Sequence, residues 1–421
     1  MPSRNLLKIK RTEFDNGLVL LTEQFPEKQK VALLVGIGVG GINEDSALSD
    51  GSHFNEHMLF KSNKFRTTNQ ICEDLEYDGT SINASTSFTR TTVYAKAIPE
   101  KLGKSIEIAY QASTNFDYNI EEFESERGVI LTEIQKYIDE PSYYLSYNLF
   151  LPTLFKNTLF EKSVAGTQTS MGNIKKEELE QFKKRYYVPN NMVIVACGNF
   201  NEEALSKEVG NTFGKLAPKK FKKIDLEINL ENRKNKKIEK RGGLKQIYLA
   251  LGYKVPGNAH EDIHKLSILK SLLSDGLSSR LFKKLRHERG IGYNIEADYY
   301  CLGRNTGYFF VDVEGFDPDR FNETKDVILG EFNELKTKPV NDREFDGRKM
   351  YLISKIRDAL ESITWRAASI LHTEFDNLPY DFREVEAHLK QVTKEDVMEV
   401  ANKYLTDKYT LTALVPERFK K

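Results

Sequence analysis

An α+β protein of two homologous halves is predicted by three observations: a helix-then-strand unit that occurs twice, strand-forming runs without a regular βαβ rhythm, and helical stretches with 3.6-residue apolar spacing. Each half is expected to be a mostly antiparallel sheet with helices packed on one face.

In chain order, the apolar run Val31–Ile37 and the alternating Thr91–Ala97 read as strands. Residues 106–116, 121–138 and 178–187 carry apolar side chains at helical intervals. The repeated unit begins at Lys176-Glu177-Glu178-Leu179, passes Tyr186 and enters Met192-Val193-Ile194-Val195. Its second copy begins at Lys394-Glu395-Asp396-Val397, passes Tyr404 and enters Leu411-Thr412-Ala413-Leu414; the same interval separates both pairs of landmarks. The stretch between the copies is crowded with Lys, Glu and Asn and reads as a solvated linker. The expected division is therefore an N-terminal half over residues 1–215, a charged linker over 216–243 and a C-terminal half over 244–421.

Composition narrows the function. The 421 residues balance 62 Lys+Arg against 62 Asp+Glu, so nothing points to nucleic acid or an anionic membrane. Cys72, Cys197 and Cys301 are odd in number and widely spaced, which argues against a disulfide framework and for a reducing, cytoplasmic setting. The start around Ser3-Arg4-Asn5-Leu6 has no apolar signal region, and no run of membrane-spanning length occurs.

The chemistry concentrates in His53-Phe54-Asn55-Glu56-His57. On a helix, residues four apart share a face, so His53 and His57 can hold one metal ion while Glu56 faces a water beside it. Phe54, Met58 and Leu59 fall on other faces, so the segment is expected to be buried with one polar stripe. A third ligand should come from another helix. Glu133 is the candidate, and Glu126, two turns earlier, projects from the same face. Two His and one Glu make a known catalytic zinc set. A rival pattern, His260-Glu261-Asp262-Ile263-His264 with Glu288 as a third ligand, has the opposite Glu position. The apolar stripe of Ile263, Leu266, Leu269 and Leu273 would leave His260 and His264 on the solvated side, away from any enclosed pocket.

These residues resemble the inverted zinc motif of the pitrilysin/insulysin metallopeptidase family, in its mitochondrial-processing-peptidase-like branch. The resemblance extends through Gly79-Thr80-Ser81-Ile82-Asn83-Ala84, Ser278-Ser279-Arg280-Leu281-Phe282 and Arg286 to Tyr293, and so covers essentially the whole chain. It implies two halves closing as a clamshell, one Zn2+ per chain on His53, His57 and Glu133, Glu126 behind the ligands, and Glu56 as general base. It further implies an endopeptidase whose peptide or unfolded-protein substrate adds a strand beside Asn83 and Ala84, gripped by Arg286 and Tyr293, with Phe54, Tyr143 and Tyr147 as further substrate contacts.

Some positions depart from the family pattern. Tyr143 and Tyr147 stand where the mitochondrial processing enzyme has acidic residues, which favours apolar substrate side chains. Leu273-Ser274-Asp275-Gly276-Leu277 has one glycine, unlike the glycine-rich loop of the noncatalytic partner subunit, so a homodimer is expected. Leu48-Ser49-Asp50-Gly51-Ser52 is tighter than in relatives, so the cap of the metal helix should differ. Three alternatives stay open: a noncatalytic scaffold, a processing subunit that needs an unlike partner chain, and a zincin using His260 and His264.

Overall fold

The computed structural model describes residues 9–44, 50–221, 224, 227–379 and 381–420. The N-terminal stretch around Ser3 to Leu6, and Leu48 and Ser49 of the expected cap, lie outside the described residues.

Apolar runs at the centre and alternating or charged strands at the edges account for both sheets. The first contains β1 (Lys10–Glu13), β2 (Val19–Gln24), β3 (Val31–Ile37), β4 (Ser81–Thr86), β5 (Thr91–Ala97) and β6 (Met192–Gly198), in the order β1-β2-β6-β3-β5-β4. All seven residues of β3 and of β6 are buried, as central strands require, and the expected strands Val31–Ile37 and Thr91–Ala97 are β3 and β5. The second contains β7 (Asn235–Arg241), β8 (Ile247–Val255), β9 (Asn294–Cys301), β10 (Gly307–Phe316) and β11 (Thr410–Pro416), in the order β7-β11-β8-β10-β9. In each sheet one pair is parallel, β2 with β6 and β7 with β11, and the other pairs are antiparallel.

The duplication is thus visible strand by strand: β2-β6-β3-β5-β4 has the same order and directions as β7-β11-β8-β10-β9. Helix Lys176–Tyr186 feeds β6 as helix Lys394–Tyr404 feeds β11. One sequence expectation is corrected here. The charged stretch 216–243 is not linker throughout, because Asn235–Arg241 forms β7, an edge strand whose Lys side chains point to water as edge strands tolerate.

The chain forms two compact units, and neither is continuous in sequence. The first comprises the described residues of Met1–Gln135, Val164–Ile224 and Ala359–Asn377; the second comprises those of Lys136–Ser163, Asp225–Asp358 and Leu378–Lys421. In the first, Val31, Leu33 and Val35 of β3 point into a core shared with Ile106 and Ala109 of helix Leu102–Thr114. The other face of β3 receives helix Ile363–Asp376. Gly36 makes that approach possible, since a Cβ there would lie 2.6 Å from Phe375 and 2.8 Å from Leu371. In the second unit, Leu249, Leu251 and Tyr253 of β8 share a core with Leu269, Ile328 and Val400 from three helices. Gly252, on the reverse side, leaves room for Phe150, 2.7 Å from where its Cβ would be.

Among the described residues no helix is long and apolar enough to cross a membrane. Cys72, Cys197 and Cys301 are free thiols.

Candidate metal centre

The motif forms helix Gly51–His57, whose start is unusually built. Asp50 occupies the N-cap position with φ 76° and does not cap the helix with its own side chain. Glu44 does so instead, its carboxylate accepting the N–H of Asp50 at 2.6 Å and of Ser52 at 2.9 Å. Burial pushes the Glu44 carboxyl up to about 7, against these two hydrogen bonds. The buried Asp50 carboxylate is bound instead by the Ser170 hydroxyl and the Thr167 N–H. Gly166, at φ +81°, passes so close that a Cβ would lie 2.3 Å from the Asp50 carboxyl carbon. Only glycine fits that left-handed, crowded position.

The helix is then clamped along its length. Phe54 is fully buried and stacks on Phe123 with ring centroids 4.6 Å apart. The expectation that Phe54 touches substrate is therefore corrected: one residue from His53 along a helix, it faces the core instead. Asn55, also fully buried, donates to the carbonyls of Gly51 (2.9 Å) and Leu179 (3.3 Å) and accepts from the Tyr118 hydroxyl (2.7 Å). Every polar atom of that amide is engaged, so the register of the helix against its neighbours is fixed.

Glu133 and Glu126 both project from the long helix Ile120–Asp139. Arg127 anchors that helix by donating to the carbonyls of Met171 and Ile174 at 2.5 and 2.7 Å. The result is a group in which His53, His57 and Glu133 each offer a ligand atom within 4.8 Å of the others, the only such group among the described residues. His57 Nε2 lies 3.3 Å and His53 Nε2 3.9 Å from Glu133 Oε2. Two ligands about 2.1 Å from a tetrahedral zinc are roughly 3.4 Å apart, so these separations suit one ion.

The electrostatics agree. Burial and the neighbouring His57 hold His53 down to about 4, so its imidazole is neutral and able to ligate. Burial also disfavours a charged His57, but the hydrogen bonds it donates to the Glu126 and Glu133 carboxylates overcome it and carry the ring up to about 9. Two carboxylates thus converge on a place that favours positive charge. The Glu126 carboxyl is held below its usual range, since His57 and the Lys61 ammonium outweigh its burial. An ionised carboxylate only accepts, so His57 Nδ1, 3.2 Å away, carries a proton, and Nε2 is the nitrogen that would give up its proton and offer its lone pair to a metal. Burial raises the Glu56 carboxyl, with His57 and Thr86 acting the other way. The donor set, the spacing and the surplus negative charge all fit zinc.

Helix Gly51–His57 packs beside β4, the exposed edge of the first sheet. Asn83 and Ala84 lie on that strand, and the Asn83 side-chain oxygen holds the Ala84 N–H at 2.8 Å. Arg286 and Tyr293 are neighbours in the second unit. The guanidinium sits 5.6 Å from the Tyr293 ring centre and donates to the Gly292 carbonyl at 2.7 Å, and Tyr293 is 81% exposed. Tyr143 and Tyr147 stack in the same unit, ring centroids 6.0 Å apart and half exposed.

The rival histidines are not a helical pair. The helix begins at Ile263, so His260 precedes it and accepts the Asp262 N–H at 3.1 Å. His264 is not on a solvated face as expected; it stacks on His388 with ring centroids 4.8 Å apart, and burial lowers it to about 4. Glu288 pairs with Arg289 at 2.9 Å. Sequence reasoning expected an altered cap at the stretch holding Asp50 but missed Glu44, Gly166 and Lys61; of these three only Lys61, four residues after His57, carried a local signal.

Residues 19–168 match the family profile described as "Insulinase (Peptidase family M16)", and residues 173–352 match "Peptidase M16 inactive domain". His53, Glu56, His57 and Glu133 all fall in the first match. The chain is 26% identical over 413 residues to an uncharacterized zinc protease of Bacillus subtilis, covering 97% of this chain and 98% of that protein. It is 27% identical over 425 residues to one of Mycobacterium tuberculosis, covering 98% and 94%. Among solved structures, a protease from Helicobacter pylori superposes with TM-score 0.91 at 23% identity, covering 98% of this chain and all of that one. A protein of Pseudomonas fluorescens titled as a peptidase M16 inactive domain superposes with TM-score 0.88 at 16% identity, covering 99% and 100%.

Proposed function

The chain belongs to the M16 peptidase family, and from that premise we propose that it is a zinc-dependent endopeptidase acting on peptides or small unfolded proteins. One observation carries the proposal: His53, His57 and Glu133 bring three ligand atoms together on a clamped helix pair, with the half-buried Glu56 beside them. Zinc bound there would supply Lewis acidity, polarising the scissile carbonyl and lowering the pKa of a water to about 7. Glu56 takes the proton from that water and returns it to the leaving amine.

The edge strand β4 supports a second role. A peptide laid along it as an added strand would present its backbone beside the metal helix, exchanging its own hydrogen bond for the one Asn83 makes to Ala84. Arg286 and Tyr293, touching each other and exposed, are proposed by family resemblance to hold substrate and stabilise the oxyanion. A homodimer located in the cytoplasm completes the proposal.

The presence of all three ligands and the base favours catalysis over a noncatalytic scaffold. Metal analysis combined with a peptide-library digest of the purified protein tests the reading. Bound zinc with chelator-sensitive cleavage supports it, and a zinc-loaded protein that cuts no peptide overturns it.

A further inference from the structure

The inward row of the β4–β5 hairpin ends in a polar pair that packing alone does not require. In the antiparallel register Ile82 stands opposite Ala95, Ala84 opposite Val93 and Thr86 opposite Thr91. Strand alternation puts these six side chains on one face. The first two pairs join the apolar core of the first unit, and the two threonines close the row. Valine has the shape of threonine and suits a strand as well, so a hydroxyl at such a position must offset the cost of its burial by bonding.

Thr91 does so within the backbone: it is fully buried and donates to the Val39 carbonyl at 3.0 Å. Thr86 is committed elsewhere. Its oxygen is closed to water and, among the described residues, its one partner is the Glu56 carboxylate, brought to it where helix Gly51–His57 packs on β4. Behind the pair lies Tyr187, 3% exposed, with its hydroxyl hidden from water, facing Thr91 and close enough to feel the Glu56 charge. The wall behind the base is therefore dry and lined by hydroxyls.

Glutamate has three rotatable bonds, and burial alone does not fix where its oxygens point. A hydrogen bond to one oxygen limits how the carboxylate turns and leaves the other free for a proton. The constraint matters, because a displacement of about 1 Å at a reacting group can cost about a hundredfold in rate.

We infer that Thr86 is a positioning residue for the peptidase reaction: its hydroxyl holds the Glu56 carboxylate in the orientation from which it faces the water. The strand proposed to pair the substrate thus also aims the base. The inference rests on the peptidase reading and deepens it, adding a residue whose effect passes through Glu56.

Thr86→Val and Thr86→Ser separate the hydroxyl from the packing. Zinc-loaded wild type and both variants are assayed on a quenched peptide, with bound zinc measured alongside. Thr86→Val should lose about tenfold to a hundredfold in kcat with KM changed by less than about twofold, and Thr86→Ser should stay within about threefold of wild type. Bound zinc should be equal in all three. Equal losses in both variants, or a kcat for Thr86→Val within about twofold of wild type, overturn the inference. So does a rise in KM alone, or loss of zinc from Thr86→Val, since the hydroxyl would then serve substrate docking or the metal helix. Crystal structures of the three zinc-loaded proteins read the same claim without turnover: Glu56 should hold one conformation in wild type and Thr86→Ser, and turn away or split in Thr86→Val. If wild type cuts no peptide while Glu56 behaves in this way, the peptidase reading fails alone. If wild type cuts and Glu56 is unmoved in Thr86→Val, this inference fails alone.

Discussion

Glu126 lies 3.2 Å from Nδ1 of His57, and that contact decides which imidazole nitrogen is free to ligate. The carboxylate holds the proton on Nδ1 and leaves Nε2 facing Glu133. Replacing Glu126 by Gln removes the charge that orients the ring while keeping its shape. Zinc affinity, measured by competition with a chromogenic chelator, should weaken roughly tenfold or more with little change in thermal midpoint. Unchanged affinity would show that the contact is incidental.

The start of the metal helix depends on a glycine that sequence distance hides. Gly166 is left-handed and pressed against Asp50, so Gly166→Ala adds both backbone strain and a clash. Stability should fall by about 1–3 kcal/mol, and the displaced helix should bind zinc less tightly. Urea unfolding with and without zinc checks both effects. A variant as stable as wild type would contradict the account of this turn.

Lys183 supplies a pH signature away from the metal. It is fully buried, and its ammonium donates to the Ala112 carbonyl at 2.8 Å with the Tyr118 and Tyr187 rings 5.2 and 5.3 Å away. Burial lowers its pKa to about 7 from an ordinary value of 10.5. Between these values the unfolded chain holds the proton and the folded chain does not, so stability rises with pH across the window, by up to about 1.4 kcal/mol per unit. Lys183→Met should flatten this rise and stabilise the protein at pH 7. Denaturation midpoints at pH 7 to 10 test the slope, and a wild-type profile that falls over that range would refute it.

How much of this was legible in the chain follows from the range of each interaction. His53, Glu56 and His57 lie within five residues, so helical geometry alone placed them on one stripe. Glu133 could be read only as a candidate carboxylate on another helix, because nothing local ties it to His57. The resemblance misassigned Phe54, although periodicity had placed it on another face: a neighbour of a ligand in sequence is about 100° away around the helix, and here that direction is the core. Strand β7 was hidden because an edge strand of Lys and Glu has the composition of a linker. Helix Ile363–Asp376 covers β3 and β6 in the first unit, although it comes from late in the chain, and only the small Gly36 hinted at a close approach. Glu44, Asp50 and Gly166 act through contacts that no spacing rule anticipates.

Zinc content of three variants tests the central claim most directly. Purified wild type, His53→Ala, His264→Ala and Glu56→Gln are assayed for metal by mass spectrometry and for cleavage of a quenched peptide. Wild type and His264→Ala should carry one zinc per chain and cleave. His53→Ala should lose the metal and all activity, and Glu56→Gln should keep the metal and lose turnover by about a thousandfold or more. Zinc retained by His53→Ala, or full activity in Glu56→Gln, would contradict the assignment.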